Sequence, residues 1–217
     1  MRIEAQGSHL VPALRSGLRK LRATLMLPVP VRPLETSMRI RTLALLLSTV
    51  IGTTASAQGL MGDMHRDVND VQKKFIDLAQ AIPESAYAWR PPGARSIGEV
   101  LLHVASDNYF IPIAMGKPAP STIDINGTDF AKLQAFEKRT LTKAQIISEL
   151  EASFKNLHEA MGLTTESNLG QTMKFFGQDF TRQRAMVSTV THLHEHLGQL
   201  IAYARSNNVT PPWSRSN

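Results

Sequence analysis

The segment from Thr181 to Asn207 contains no proline and repeats its apolar residues at helical intervals, which commits about an eighth of the chain to one long helix. At about 100° per residue, Leu193, Leu197, Leu200 and Ala204 gather on one face. His192, His196, Gln199 and Tyr203 fall on a narrow polar stripe that flanks this face. His194 points to the opposite side and cannot share a site with the other two. Asn207 and Asn208 suit a left-handed cap, and Pro211 and Pro212 prevent continuation.

Three more helices are expected ahead of it. The first spans about Asp63 to Ala81, with Val68, Val71, Phe75, Leu78 and Ile82 on one face and Pro83 as its stop. The second opens at Ser96-Ile-Gly-Glu99, a capping box that gives Glu99 a structural task, and runs to Ala114–Gly116. It carries Val100, His103, Val104, Asp107 and Phe110 on its inward side. The third starts at a second capping box, Thr142 to Gln145, with Leu141 and Ile146 spaced as a hydrophobic staple. Its core stripe is Ile147, Leu150, Phe154, Leu157 and Met161. His158 lies beside that stripe without a partner at helical spacing and reads as a rim histidine; His65 reads as an ordinary residue of the first helix.

Residues 116–140 form a long connection, in which Asp124, Asn126 and Asp129 read as turn formers. Residues 162–180 are irregular, with an extended piece expected at Met173 to Phe176 before Gly177. No strand series, internal repeat or phosphate-binding loop competes with this pattern. The fold class is all-α: a four-helix bundle with a long loop between its second and third helices.

The charge divides the chain. Residues before Gln58 hold eight Lys/Arg and two Asp/Glu, whereas the rest holds sixteen of each. A neutral body lacks the cationic surface that nucleic acid requires, so no nucleic-acid partner is expected. From Met38, two arginines precede the apolar run Leu43 to Ile51 and the small-residue pattern Ala55-Ser56-Ala57. This is the form of a secretory signal peptide cleaved after Ala57, and the run is too short to span a bilayer. A membrane-anchoring or buried N-terminal helix is the competing reading. Residues 1–37, rich in arginine and proline, are expected to precede the true start at Met38. The expected division is therefore extension 1–37, signal peptide 38–57 and bundle 58–217, with a periplasmic or secreted product and no stable membrane insertion after cleavage.

The chain has no cysteine, so any metal must be held by His, Asp or Glu. His192 and His196 supply two nitrogens one helical turn apart, and His103 can supply a third from a facing helix. Three imidazoles leave room for water or a small-molecule substrate, the layout of a catalytic zinc site. Zinc or nickel is expected first, with iron or manganese also compatible with imidazole. Asp107, Gln199 and Tyr203 are the candidate pocket residues, with Asp107 or Gln199 orienting a ligand or a bound water. A divalent ion would lower the pKa of a water it holds, opening hydrolysis or group transfer. Two alternatives stay open: a non-catalytic binding module in which metal joins helices, and a bundle without metal whose histidines bond to carbonyls or carboxylates.

Ser96-Ile-Gly-Glu-Val-Leu-Leu-His103, preceded by Trp89-Arg90-Pro91-Pro92 and followed by His192-x-x-x-His196-x-Gly198-Gln199-Leu200, Tyr203 and Pro211-Pro212-x-Ser214, resembles the DinB-like superfamily. The resemblance covers roughly residues 62–214. It implies a four-helix bundle with a metal bound by His103, His192 and His196. It also implies relatives that include thiol-dependent transferases and isomerases, and a homodimeric habit in many of them.

Overall fold

The computed structural model describes residues 59–175 and 177–214. The expected leader, residues 1–57, lies outside the described residues, as does Phe176. Five α-helices are described: α1 (Leu60–Ala81), α2 (Ile97–Ala114), α3 (Phe130–Glu137), α4 (Lys143–Met161) and α5 (Arg182–Ser206). The strands β1 (Thr172–Phe175) and β2 (Gln178–Thr181) form an antiparallel hairpin in which Thr172 faces Thr181 and Phe175 faces Gln178.

Four of the helices make the bundle. Tyr87 and Ile146 crowd Gly98 at the start of α2, and further along Asn108 meets Ser153 and Asn156 of α4. The two helices therefore run parallel. A chain leaving the end of α2 must return along the whole bundle before α4 can begin, which is why the connection between them is long. That connection is not all loop: α3 forms within it and packs on α2. The helices α1 and α5 are also parallel, since the N-termini of both lie at the 164–166 segment. The amide of Met61 bonds Glu166 Oε1 at 2.9 Å, and Arg182 reaches Thr164 Oγ1 at 3.4 Å.

The helix ends follow from local chemistry. Both expected capping boxes are present, Ser96 with Glu99 and Thr142 with Gln145. Thr181 caps α5, and Asn208 takes φ 60° just beyond its end. The start of α1 has no side-chain cap at Gly59; Glu166, far along the chain, supplies the acceptor instead, and the helix begins three residues earlier than its apolar pattern suggested.

The interior explains why α2 shows little amphipathic contrast. It touches α3, α4 and α5, and residues from Ile97 to Pro112 are buried almost all round. Pro112 has no amide to bond the carbonyl of Asn108, four residues back. Asn156 Nδ2 of α4 takes that carbonyl at 3.0 Å instead. The main core joins Phe75, Leu78, Leu101, Leu150, Phe154 and Leu157, with the Phe75 and Phe154 rings 6.1 Å apart. Among the described residues no helix is long and apolar enough to cross a membrane.

Candidate metal centre

The capping box at Ser96 sets the phase of α2, and that phase turns His103 toward α5. On α5, the apolar face of Leu193, Leu197 and Leu200 is buried, which turns the adjoining His192–His196 stripe toward α2. The result is three imidazoles from two helices in one cluster. Their donor nitrogens all lie within 4.8 Å of one another. The ring centroids are 4.5 Å apart for His103 and His196, 5.3 Å for His103 and His192, and 4.4 Å for His192 and His196. His194 is exposed, as its position on the helix requires.

The hydrogen bonds behind the rings fix which nitrogen faces the centre. His103 Nδ1 lies 2.7 Å from Glu137 Oε1. An ionised carboxylate only accepts, so Nδ1 carries the proton and Nε2 presents a lone pair. His196 Nδ1 lies 2.9 Å from Gln199 Oε1, which assigns the same tautomer there. The two Nε2 atoms then face each other at 3.0 Å. Two neutral imidazoles cannot hydrogen-bond through facing lone pairs; a cation, either a proton or a metal ion, must sit between them. His192 Nε2 is buried and makes no hydrogen bond. Three inward nitrogens, two with their outer nitrogens already committed and one without a hydrogen bond, fit the donor set of a divalent ion.

The support for these rings extends outward. Glu137, at the end of α3, is buried and also receives Arg95 Nε at 2.8 Å. Burial alone would raise its pKa, but hydrogen bonds from His103 and Arg95 outweigh that and keep its carboxyl below the usual range. Burial first, then the neighbouring His192 and His103, lower the pKa of His196; Gln199 and Glu195 oppose this without reversing it. Gln199 Nε2 donates to Tyr203 Oη at 2.9 Å, and the Tyr203 ring stands edge-on to Trp89 at 5.3 Å. Asp107 Oδ2 lies 2.7 Å from His192 Nε2 and 3.4 Å from His103 Nε2. Asp107, Gln199 and Tyr203 thus all reach the cluster, Tyr203 through Gln199.

Neither Glu137 nor Arg95 stands out in the sequence. Glu137 lies 34 residues from its histidine, in the stretch read as a long connection. The only signal was its place beside Leu133 and Phe136 at helical spacing. Of the three expected turn formers, Asn126 acts as one, its Oδ1 accepting from the amides of Thr128 and Asp129; Asp129 instead caps α3, and Asp124 pairs with Lys132. His158 bonds Gln72 Oε1 at 2.7 Å, away from the cluster.

The model of the DinB superfamily matches residues 68–200, which is more than half of the chain and spans all three histidines. The chain belongs to the DinB superfamily. Solved structures agree on the fold. A DinB-like protein from Bacillus cereus ATCC 10987 superimposes with a TM-score of 0.57 at 15% identity, over 70% of this chain and 95% of the other. A conserved protein from Enterococcus faecalis gives 0.56 at 16% identity, over 69% and 97%. At such identities the likeness carries the DinB-like fold and nothing finer. Among curated proteins none is significantly similar to the chain.

Proposed function

We propose that this DinB-superfamily chain is a secreted or periplasmic metal-binding protein that uses His103, His192 and His196 to hold one divalent ion and acts as a metal-dependent hydrolase or transferase on a small molecule. The observation that carries the metal reading is the 3.0 Å approach of two imidazole nitrogens whose opposite nitrogens are both engaged as donors. A bound divalent ion supplies Lewis acidity, polarising a substrate oxygen or acidifying a water. The chain's own residues orient the ligands: Glu137 holds the His103 ring, and Gln199, backed by Tyr203, holds the His196 ring. The cluster lies near the surface, with the His192 side chain 27% exposed although its Nε2 is buried. The export reading is supported by the pattern of residues 38–57.

Elemental analysis of the purified mature protein beside His192→Ala is the test. The parent is expected to carry close to one equivalent of a divalent metal and the variant little. Full metal retention by the variant counts against the assignment. Mass spectrometry of the product tests the leader, which is expected to be absent up to Ala57.

A further inference from the structure

We propose that Asp107 is a fourth protein ligand of the ion held by His103, His192 and His196. The inference rests on the three-histidine reading above and adds to it.

The cluster contains two carboxylates, and they meet its imidazoles differently. Glu137 faces the outer nitrogen of His103 in good hydrogen-bonding geometry, as a residue that orients a ligand does. Asp107 instead faces the inner nitrogens. Its Oδ2 stands 2.7 Å from His192 Nε2 and 3.4 Å from His103 Nε2. Despite the shorter approach, His192 Nε2 makes no hydrogen bond, so the oxygen lies off the axis along which an N–H would donate. His103 has committed its proton to Glu137 and offers Asp107 only a lone pair. A carboxylate oxygen beside the His103 lone pair, and close to a His192 nitrogen that gives it no hydrogen bond, is poorly placed unless a cation lies among them.

The distances suit that cation. Donor atoms about 2.1 Å from one ion, at angles of roughly 80–110°, lie about 2.7–3.5 Å from each other. Both Asp107 approaches fall in this range. The sequence has the matching symmetry. Asp107 follows His103 by four residues on α2, as His196 follows His192 on α5, so each helix presents one pair of donors from successive turns.

A consequence is the choice of ion. Three nitrogens and one carboxylate oxygen fill a tetrahedral zinc site, whereas a six-coordinate ion such as nickel, iron or manganese keeps two positions for substrate. A catalytic role then favours the six-coordinate ions.

The test uses cobalt(II) as the probe on metal-stripped mature protein, with affinity from chelator competition and coordination from the visible d–d spectrum. Asp107→Asn is expected to weaken cobalt binding beyond the roughly 10–100-fold typical of an orienting residue, and to change the band pattern. Glu137→Gln is expected to weaken binding with the band pattern kept, because the donor set is unchanged. If Asp107→Asn keeps the parent affinity and spectrum, Asp107 is no ligand and the three-histidine site stands. If His192→Ala binds cobalt like the parent, or the parent binds none, the three-histidine site falls and this inference with it. A crystal structure of the parent cobalt complex needs no variant: Oδ2 within bonding distance of the ion supports the proposal, and an oxygen turned away overturns it.

Discussion

A histidine ring offers a metal one nitrogen and needs something to hold the other, and in this protein the holders differ in how visible they are. Gln199 follows His196 by three residues on the same helix face, so helical geometry alone pairs them, and the structure joins them at 2.9 Å. The same geometry pairs His192 with His196, whereas His103 comes from a facing helix. Glu137 escaped because its partner sits on another helix and its own helix is short. Its contribution is measurable. Glu137→Gln keeps the shape but loses the charge that favours Nδ1–H on His103, and it weakens the charge-assisted bond to Arg95. Metal affinity is expected to fall about 10–100-fold. Chelator competition on the folded variant checks this; an unchanged affinity would mean the His103 ring is held by packing alone.

The helix α2 shows what local sequence can settle and where it stops. Its first turn was legible because Ser96 and Glu99 satisfy each other's neighbouring amides, at 3.2 Å and 2.7 Å. That start fixes the rotation of His103 and Asp107. By contrast α3 spans eight residues, too few for an apolar period to distinguish it from a loop with scattered leucine and phenylalanine. Its N-cap, Asp129, has the sequence signature of a turn residue, because the same side-chain acceptor serves both. The helix packs on α2 with Leu133 and Phe136 buried. At the α2 start the cap carries a pH signature. Burial acts to raise the Glu99 pKa, yet the Lys138 hydrogen bond, the Ser96 amide and the Arg90 charge bring it down to about 2. A depressed carboxyl stabilises the fold above its unfolded value of 4.5, and that stabilisation is lost as pH falls toward 2. Glu99→Gln should therefore be less stable than the parent at neutral pH, with the gap closing between 4.5 and 2. Denaturant melts across that window decide it. Ser96→Ala removes the neutral half of the box and should cost about 0.5–2 kcal/mol, with little dependence on pH in this range.

The bundle as a whole rests unevenly on its contacts. The pairing of α2 with α4 is extensive and apolar, carried by Leu101, Leu150 and Phe154 among others. Between α2 and α5 the contact is slighter, and the histidine cluster occupies it. Three polar rings stand where a core would ordinarily place leucines, and without an ion their facing lone pairs oppose closure of this seam. Metal should then act as a clamp between α2 and α5. Mass action sets the size: an ion present at 100 times its dissociation constant stabilises the folded chain by about 2.7 kcal/mol. For a domain of this length that corresponds to a rise in Tm of roughly 5–10 °C. Stripping the parent with a chelator should lower Tm by that amount, and adding the ion back should restore it. His192→Ala should melt near the stripped parent and gain nothing from added metal, since two nitrogens no longer complete the seam. Hydrogen exchange on the same samples locates the effect: slower exchange on metal addition is expected in α2 and α5 around His103 and His196, with the α2–α4 interface unchanged. A chelator that leaves Tm and exchange of the metal-loaded parent untouched would show that packing closes this seam unaided.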